Sequence, residues 1–209
     1  MRWHLEVLDE AQREVLRRFG PVAGRLGFYL GGGTALALYF GHRSSVDFDW
    51  FTPERLEDPL VLAEELRDEG IQFETGQVAR GTLHGFVSGV RVSFFEYRYP
   101  LLGSLRSLED FGLEVASLDD LACMKLSAVV QRGSRKDFID VYALGTRHRS
   151  LAEMLGLYRR KYGVEDVVHV LYGLLYFDDA EREDMPRMFW DVGWDMVKAT
   201  IRRWVKEVV

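Results

Sequence analysis

A run of three glycines sets the first constraint on this chain. Gly31, Gly32 and Gly33 stand between the apolar Phe28-Tyr29-Leu30 and Thr34-Ala35-Leu36-Ala37-Leu38-Tyr39-Phe40, a succession that reads as strand, tight turn and helix. Glycine allows the sharp turn and lets another group approach the backbone with no Cβ in the way. Where such a turn opens a helix, backbone N–H groups and the helix dipole can receive an anion. The turn matches neither G-x-x-x-x-G-K-[ST] nor G-x-G-x-x-G, which excludes P-loop and Rossmann readings.

The next extended segment, Val46 to Phe51, alternates as a strand does and carries Asp47 and Asp49. Residues two apart in a strand share a face, so their carboxylates can converge and then repel unless a cation lies between them. Mg²⁺ (or Mn²⁺) suits such a pair, since it takes oxygen ligands and keeps positions open for substrate phosphates. Alone, D-x-D also describes a solvated strand face, and a triple glycine also describes a plain turn. In succession, a phosphate cradle and paired aspartates form the layout of a nucleotidyltransferase site.

The remaining pattern divides the chain in two. Leu5, Leu8, Ala11, Val15 and Phe19 predict an opening helix over 5–19, and Asp58-Pro59 starts another that ends near Gly70. Residues 71–78 and 82–87 read as extended, and Ser88-Gly89 turns into a strand from Val90 to Tyr97. Beyond Pro100 the strands give way to helix-start signatures. Ser117 with Asp120 opens a helix through Gln131, Ser134 with Asp137 one to about Gly145, and Ser150 with Glu153 one to near Gly163. Two more are predicted around 165–176 and 186–207. The expectation is an α+β fold: a mixed sheet flanked by helices over 1–110, then a helical domain over 111–209.

At 209 residues and 47% hydrophobic, the chain can bury a sizeable core. Cys123 is the only cysteine, so there is no intramolecular disulfide or Cys-rich zinc site. No window approaches the ~18 apolar residues of a membrane-spanning helix, and the N-terminus lacks a signal-peptide core. A soluble cytoplasmic protein without a membrane partner is expected. The net charge of −6 conceals opposed stretches: ten acids and two arginines over 47–74, against six Lys or Arg and two acids over 123–149. A polyanionic acceptor is therefore not excluded, although the balance argues against tight non-specific nucleic-acid binding.

Lys125 shares a helix face with Leu121 and Val129, where an ammonium is costly without an anionic partner. It is read either as snorkelling to solvent or as a phosphate-facing charge. Asp137 is a helix cap or a site acid, and His42 and Arg43 are loop charges or contacts to a phosphate or base. Gly32-Gly33-Thr34-Ala35-Leu36, His42-Arg43-x-Ser45-x-Asp47-x-Asp49, Lys125 and Arg132-x-x-x-Lys136-Asp137-x-x-Asp140 together resemble the AbiEii/AbiGii family of nucleotidyltransferase toxins. The resemblance implies a minimal DNA polymerase β-like core joined to a helical domain, and transfer of a nucleotidyl group from an NTP to a hydroxyl. It also implies RNA, tRNA among it, as a possible acceptor, and a cognate antitoxin. Carried over, Gly32, Gly33 and Thr34 would hold phosphate with His42, Arg43 and Ser45 nearby, Asp47 and Asp49 would bind metal, and Lys125 and Asp137 would complete the site.

One departure matters. Nucleotidyltransferases of this fold usually carry a third carboxylate on a neighbouring strand. If Val92 and Phe94 face the core, Ser93 takes that position, and Glu96 points to the opposite face unless a bulge intervenes. A nucleotide-binding regulatory or interaction module without transfer activity is therefore the alternative expectation.

Overall fold

The computed structural model describes residues 2–209. It contains two compact units: residues up to Tyr39 with Ser45–Tyr99 and Ser104–Ala116, and Phe40–Ser44 with Pro100–Gly103 and Ser117–Val209.

The first unit is built on a seven-stranded sheet. Its strands are β1 (Tyr29–Gly31), β2 (Phe48–Thr52), β3 (Phe73–Ala79), β4 (Thr82–Val87), β5 (Val90–Glu96), β6 (Arg106–Leu108) and β7 (Leu113–Val115), in the order β3-β4-β5-β2-β1-β7-β6. β2 runs parallel to β5 and antiparallel to β1, and β1 runs parallel to β7. β1 is buried along its length, as a central strand must be, whereas β2 alternates: Phe48, Trp50 and Thr52 are buried and Asp49 and Phe51 half-buried. Three helices accompany the sheet: α1 (Glu10–Arg25), α2 (Gly32–Phe40) and α3 (Pro59–Asp68). From α1, Phe19 meets Trp50 and Phe94 edge-on at 5.1 and 5.6 Å, and all three rings are fully buried.

α1 departs from the expected 5–19. It starts later because Asp9 caps it in a reciprocal capping box with Gln12, while Leu5–Val7 forms a separate 3-10 turn. It continues through Gly20 and Pro21 to Arg25. Gly20 lets the 3-10 turn at Glu109–Phe111 approach closely; a Cβ there would stand 2.4 Å from the Phe111 carbonyl oxygen. The hairpin β6–β7 is an addition to the sequence reading, because three-residue strands are too short to display alternation.

The second unit is helical: α4 (Leu118–Gln131), α5 (Arg135–Arg147), α6 (Leu151–Tyr162), α7 (Val168–Leu175) and α8 (Trp194–Val208). α4 packs against α5, α6 and α7, burying Leu121, Ala122, Cys123, Leu126 and Val129. Ser117 and Ser150 cap α4 and α6 as expected. The last helix starts at Trp194, not near 186. Residues 187–190 instead run antiparallel to 42–44, with Ser44 N–H donating to Arg187 O at 2.8 Å and Phe189 N–H to His42 O at 2.9 Å.

Phe19→Ala should cost about 3–5 kcal/mol by emptying the centre of the Phe19–Trp50–Phe94 cluster. Urea unfolding measures it directly.

Candidate active site

The candidate site in the sheet unit begins with backbone register. Gly31 pairs with Asp49, Asp49 with Ser93, and Ser93 with His84, so one row crosses β1, β2, β5 and β4. Strand alternation places the side chains of Asp49, Ser93 and His84 on one face, opposite the buried Phe48, Trp50, Val92 and Phe94. The expectation for Ser93 thus holds at the level of pairing: the strand neighbour of Asp49 is a serine. Glu96 is committed elsewhere, pairing with Thr52 and accepting the Leu56 N–H at 3.1 Å through Oε2.

Asp49 lies against the first turn of α2. Gly32 has φ +66°, and a Cβ on it would stand 2.2 Å from Asp49 Oδ2. Only glycine accepts both that dihedral and that carboxylate. The helix therefore begins at Gly32 itself, two residues earlier than the glycine turn suggests, and Asp49 borders its N-terminal N–H groups.

Asp47 immediately precedes β2, on a loop pinned from two helices. The Thr34 hydroxyl donates to the Asp47 carbonyl and lies 2.8 Å from Ser45 Oγ. From α1, Gln12 Nε2 donates to Ser45 O at 2.6 Å. Thr34 is 1% exposed, so its hydroxyl serves the loop that carries Asp47 and does not face outward as a phosphate ligand would. Gly32, Gly33, Ser45, Asp47 and Asp49 are each half-buried. Beside the Asp49 row runs an aromatic one, with Phe51 stacked on Phe95 at 5.1 Å and on Tyr29 at 6.0 Å. The sequence reading had not marked it as part of a site.

Among the described residues no group of three or more His, Cys, Asp or Glu side chains is arranged to hold a metal. The site offers carboxylates at 47 and 49, and Mg²⁺ is commonly bound by one or two protein carboxylates completed by substrate phosphates. Two carboxylates of this kind are compatible with that mode.

In the helical unit, Lys125, Asp137, His42 and Arg43 belong to one buried network whose hub is Asp140. Lys125 Nζ lies 2.9 Å from Asp137 Oδ1 and 2.7 Å from Asp140 Oδ2. Arg43 grips Asp140 bidentately, Nε and a terminal nitrogen each at 2.7 Å, and His42 Nε2 lies 2.8 Å from the same carboxylate. Asp137 also accepts Arg132 Nε at 2.7 Å and the Ser134 hydroxyl at 2.6 Å. The Ser134 hydroxyl thus serves this carboxylate, and not a backbone N–H as in an ordinary cap.

Two of these placements correct the sequence reading. His42 and Arg43, expected beside a nucleotide, are 0% and 2% exposed and both contact Asp140. Lys125, read as snorkelling or phosphate-facing, is 3% exposed and held between two aspartates. The reason is electrostatic: a buried cation is tolerated only with anionic partners in contact. Asp140 had been noted in the motif without a role. Its spacing from Asp137, one turn along α5, was the signal that both acids face Lys125.

Burial alone would raise the Asp140 carboxyl, but Arg43 and Lys125 outweigh it and hold it well below the usual carboxylate range; Asp137 behaves likewise beside Lys125 and Arg132. Lys125 is raised: burial opposes its charge, and Asp137 and Asp140 overcome that. Burial dominates at His42 and lowers it, so its imidazole is neutral at pH 7. The network reaches the surface through Arg132, whose side chain is 56% exposed. Burial pushes the Cys123 thiol up to about 12, which leaves it an inert core group.

Asp140→Asn should destabilise the protein by about 3–5 kcal/mol, since it leaves Lys125 and Arg43 buried and under-compensated. The acid dependence has a definite sign. Carboxylates whose folded pKa is depressed stabilise fully above their unfolded pKa near 4, and that contribution drains as pH falls below it. Urea midpoints between pH 7 and 3 should fall for wild type and fall less steeply for Asp140→Asn.

Comparison with known proteins agrees with these features. A sequence profile of the nucleotidyl transferase AbiEii toxin, of a Type IV toxin–antitoxin system, matches residues 14–203. An uncharacterized protein of Aquifex aeolicus (strain VF5) is 38% identical over 204 residues, 96% of this chain and 97% of that one. Among solved structures, MenT4, a nucleotidyltransferase toxin of Mycobacterium tuberculosis H37Rv, gives a TM-score of 0.60 at 14% identity, covering 95% of this chain and 84% of that one. The antibiotic-resistance factor ANT(2'')-Ia gives 0.55 at 14% identity, covering 75% and 93%. At such identities the structural likeness speaks for the fold alone. Among the described residues no helix is long and apolar enough to cross a membrane. With a profile match spanning nearly the whole chain, on a sheet that sets Asp49 against a glycine helix start, the chain belongs to the AbiEii nucleotidyl transferase toxin family.

Proposed function

We propose that this protein transfers a nucleotidyl group from an NTP to a hydroxyl, with RNA, tRNA among it, as the acceptor class, and acts as the toxin of a toxin–antitoxin pair. The observation that carries the reading is the position of Asp49, in register with Gly31 and laid against Gly32 at the start of α2. The backbone that would receive phosphate and the carboxylate that would bind metal are thereby adjacent.

On this reading the N–H groups at Gly32 and Gly33 receive the triphosphate. Asp47 and Asp49 would hold a divalent cation, Mg²⁺ or Mn²⁺, which when bound supplies Lewis-acid polarisation of the phosphoryl oxygens and offsets developing charge. Thr34 and Gln12 hold the Asp47 loop in place. In the helical unit, Lys125, Asp137 and Asp140 act as positioning groups: Lys125 bridges the two carboxylates, and Asp137 holds the guanidinium of Arg132, which would meet a polyanionic acceptor. The cognate antitoxin enters as a partner through the family alone.

The test is incubation with α- and γ-labelled NTPs, Mg²⁺ and total tRNA. Label from the α position should enter RNA; label from the γ position should leave as pyrophosphate. Asp49→Asn should cut the rate at least about a thousandfold, a loss of roughly 4 kcal/mol of transition-state stabilisation. Gly32→Ala should do similar damage by displacing the Asp49 carboxylate. Ser93 favours a second reading, a nucleotide binder without transfer, which predicts NTP binding by calorimetry and no label in RNA.

A further inference from the structure

The position beside Asp49 where an acid would serve as ligand and base holds a serine, and behind that serine stands an imidazole. Ser93 is the β5 partner of Asp49, and His84 is the β4 partner of Ser93. Ser93 is 3% exposed, with Oγ 2.8 Å from His84 Nδ1. His84 is half-buried, with the edge of its ring environment set by Phe95 at 5.6 Å. The contact on Nδ1 orients the ring, and in the tautomer where Nδ1–H donates to Ser93 Oγ, Nε2 is the nitrogen that can take a proton. The charged groups acting on the ring are Arg91, two residues along β5, and Asp49, across Ser93.

We propose that His84 is the general base of this site, its Nε2 taking the proton of the acceptor hydroxyl while Ser93 holds the ring through Nδ1. This rests on the nucleotidyl-transfer reading above. The acceptor O–H bond breaks, its proton passes to Nε2, and its electron pair attacks the α-phosphorus. The bridging bond between the α-phosphorus and pyrophosphate breaks, and pyrophosphate departs with that electron pair. The imidazolium then returns its proton to water. Ser93 is a positioning residue: its own hydroxyl is too weak a base, and too deeply set, to act on the acceptor.

The experiment uses the full chain with α-labelled NTPs, Mg²⁺ and total tRNA. His84→Ala should lower kcat about a hundredfold with KM for NTP nearly unchanged. Adding Ser93→Asp to that variant should restore the rate to within about tenfold of wild type, because a carboxylate in register with Asp49 can take the proton directly. A histidine that merely braces the sheet cannot be bypassed in this way. His84→Gln, checked by thermal melting, guards against a folding defect in the alanine variant. Wild-type rates in both His84 variants, with Asp49→Asn inactive, would overturn the base and leave nucleotidyl transfer standing. Loss without recovery in the double variant would also overturn it. No transfer by the wild type would overturn both.

Discussion

The pairing of β2 with β1 on one side and β5 on the other is the constraint on which the rest of the sheet unit depends. A strand has a side-chain period of two, so a slip of one residue would send Asp49 into the core and bring Trp50 out. The slip is prevented by what lies beneath: Phe48, Trp50, Val92 and Phe94 are all fully buried, and Phe19 closes on two of them. Hydrophobic burial on one face thereby sets the position of a carboxylate on the other. The same register gives Asp49 its three neighbours, a glycine that makes room for it, a serine in place of an acid, and a histidine behind that serine.

The helical unit solves a different problem. Burying Lys125 and Arg43 in an apolar bundle is unfavourable unless each charge is matched in contact. Asp137 and Asp140, one turn apart on α5, supply that match, and Asp137 also holds Arg132 at the surface. Asp120 does similar work further along α4. It accepts Lys161 Nζ at 2.7 Å and the backbone N–H groups of Leu102 and Gly103 at 2.9 and 3.1 Å. That carboxylate ties residues 100–103 to the helices and explains why this short stretch belongs with them.

Much of the element order was legible because the signals are local. Capping serines at 117 and 150, the Asp58-Pro59 start and the alternation of 90–96 each act within a few residues. Elements were missed where the signal is not local. β6 and β7 have three residues each and exist because Leu30 pairs with Val115, a contact no window contains. The segment 187–190 carries helix-compatible residues, yet it is drawn out straight by pairing with 42–44. His42 and Arg43 read as loop charges for the same reason, since the acid that buries them lies almost a hundred residues away.

By itself, then, the sequence determined the glycine start of α2, the D-x-D segment and the substitution of Ser93 for an acid, because these depend on residue type and a period of two. It also showed that Lys125 either snorkels to solvent or needs an anionic partner, since desolvation of a cation is costly without one. Only the tertiary structure decided who the partners are. Asp140 as the hub, His84 behind Ser93, Thr34 turned inward to the Asp47 carbonyl and Asp49 pressed against Gly32 all follow from strand register and helix packing. Those are set by burial summed over the whole core and not by any one segment.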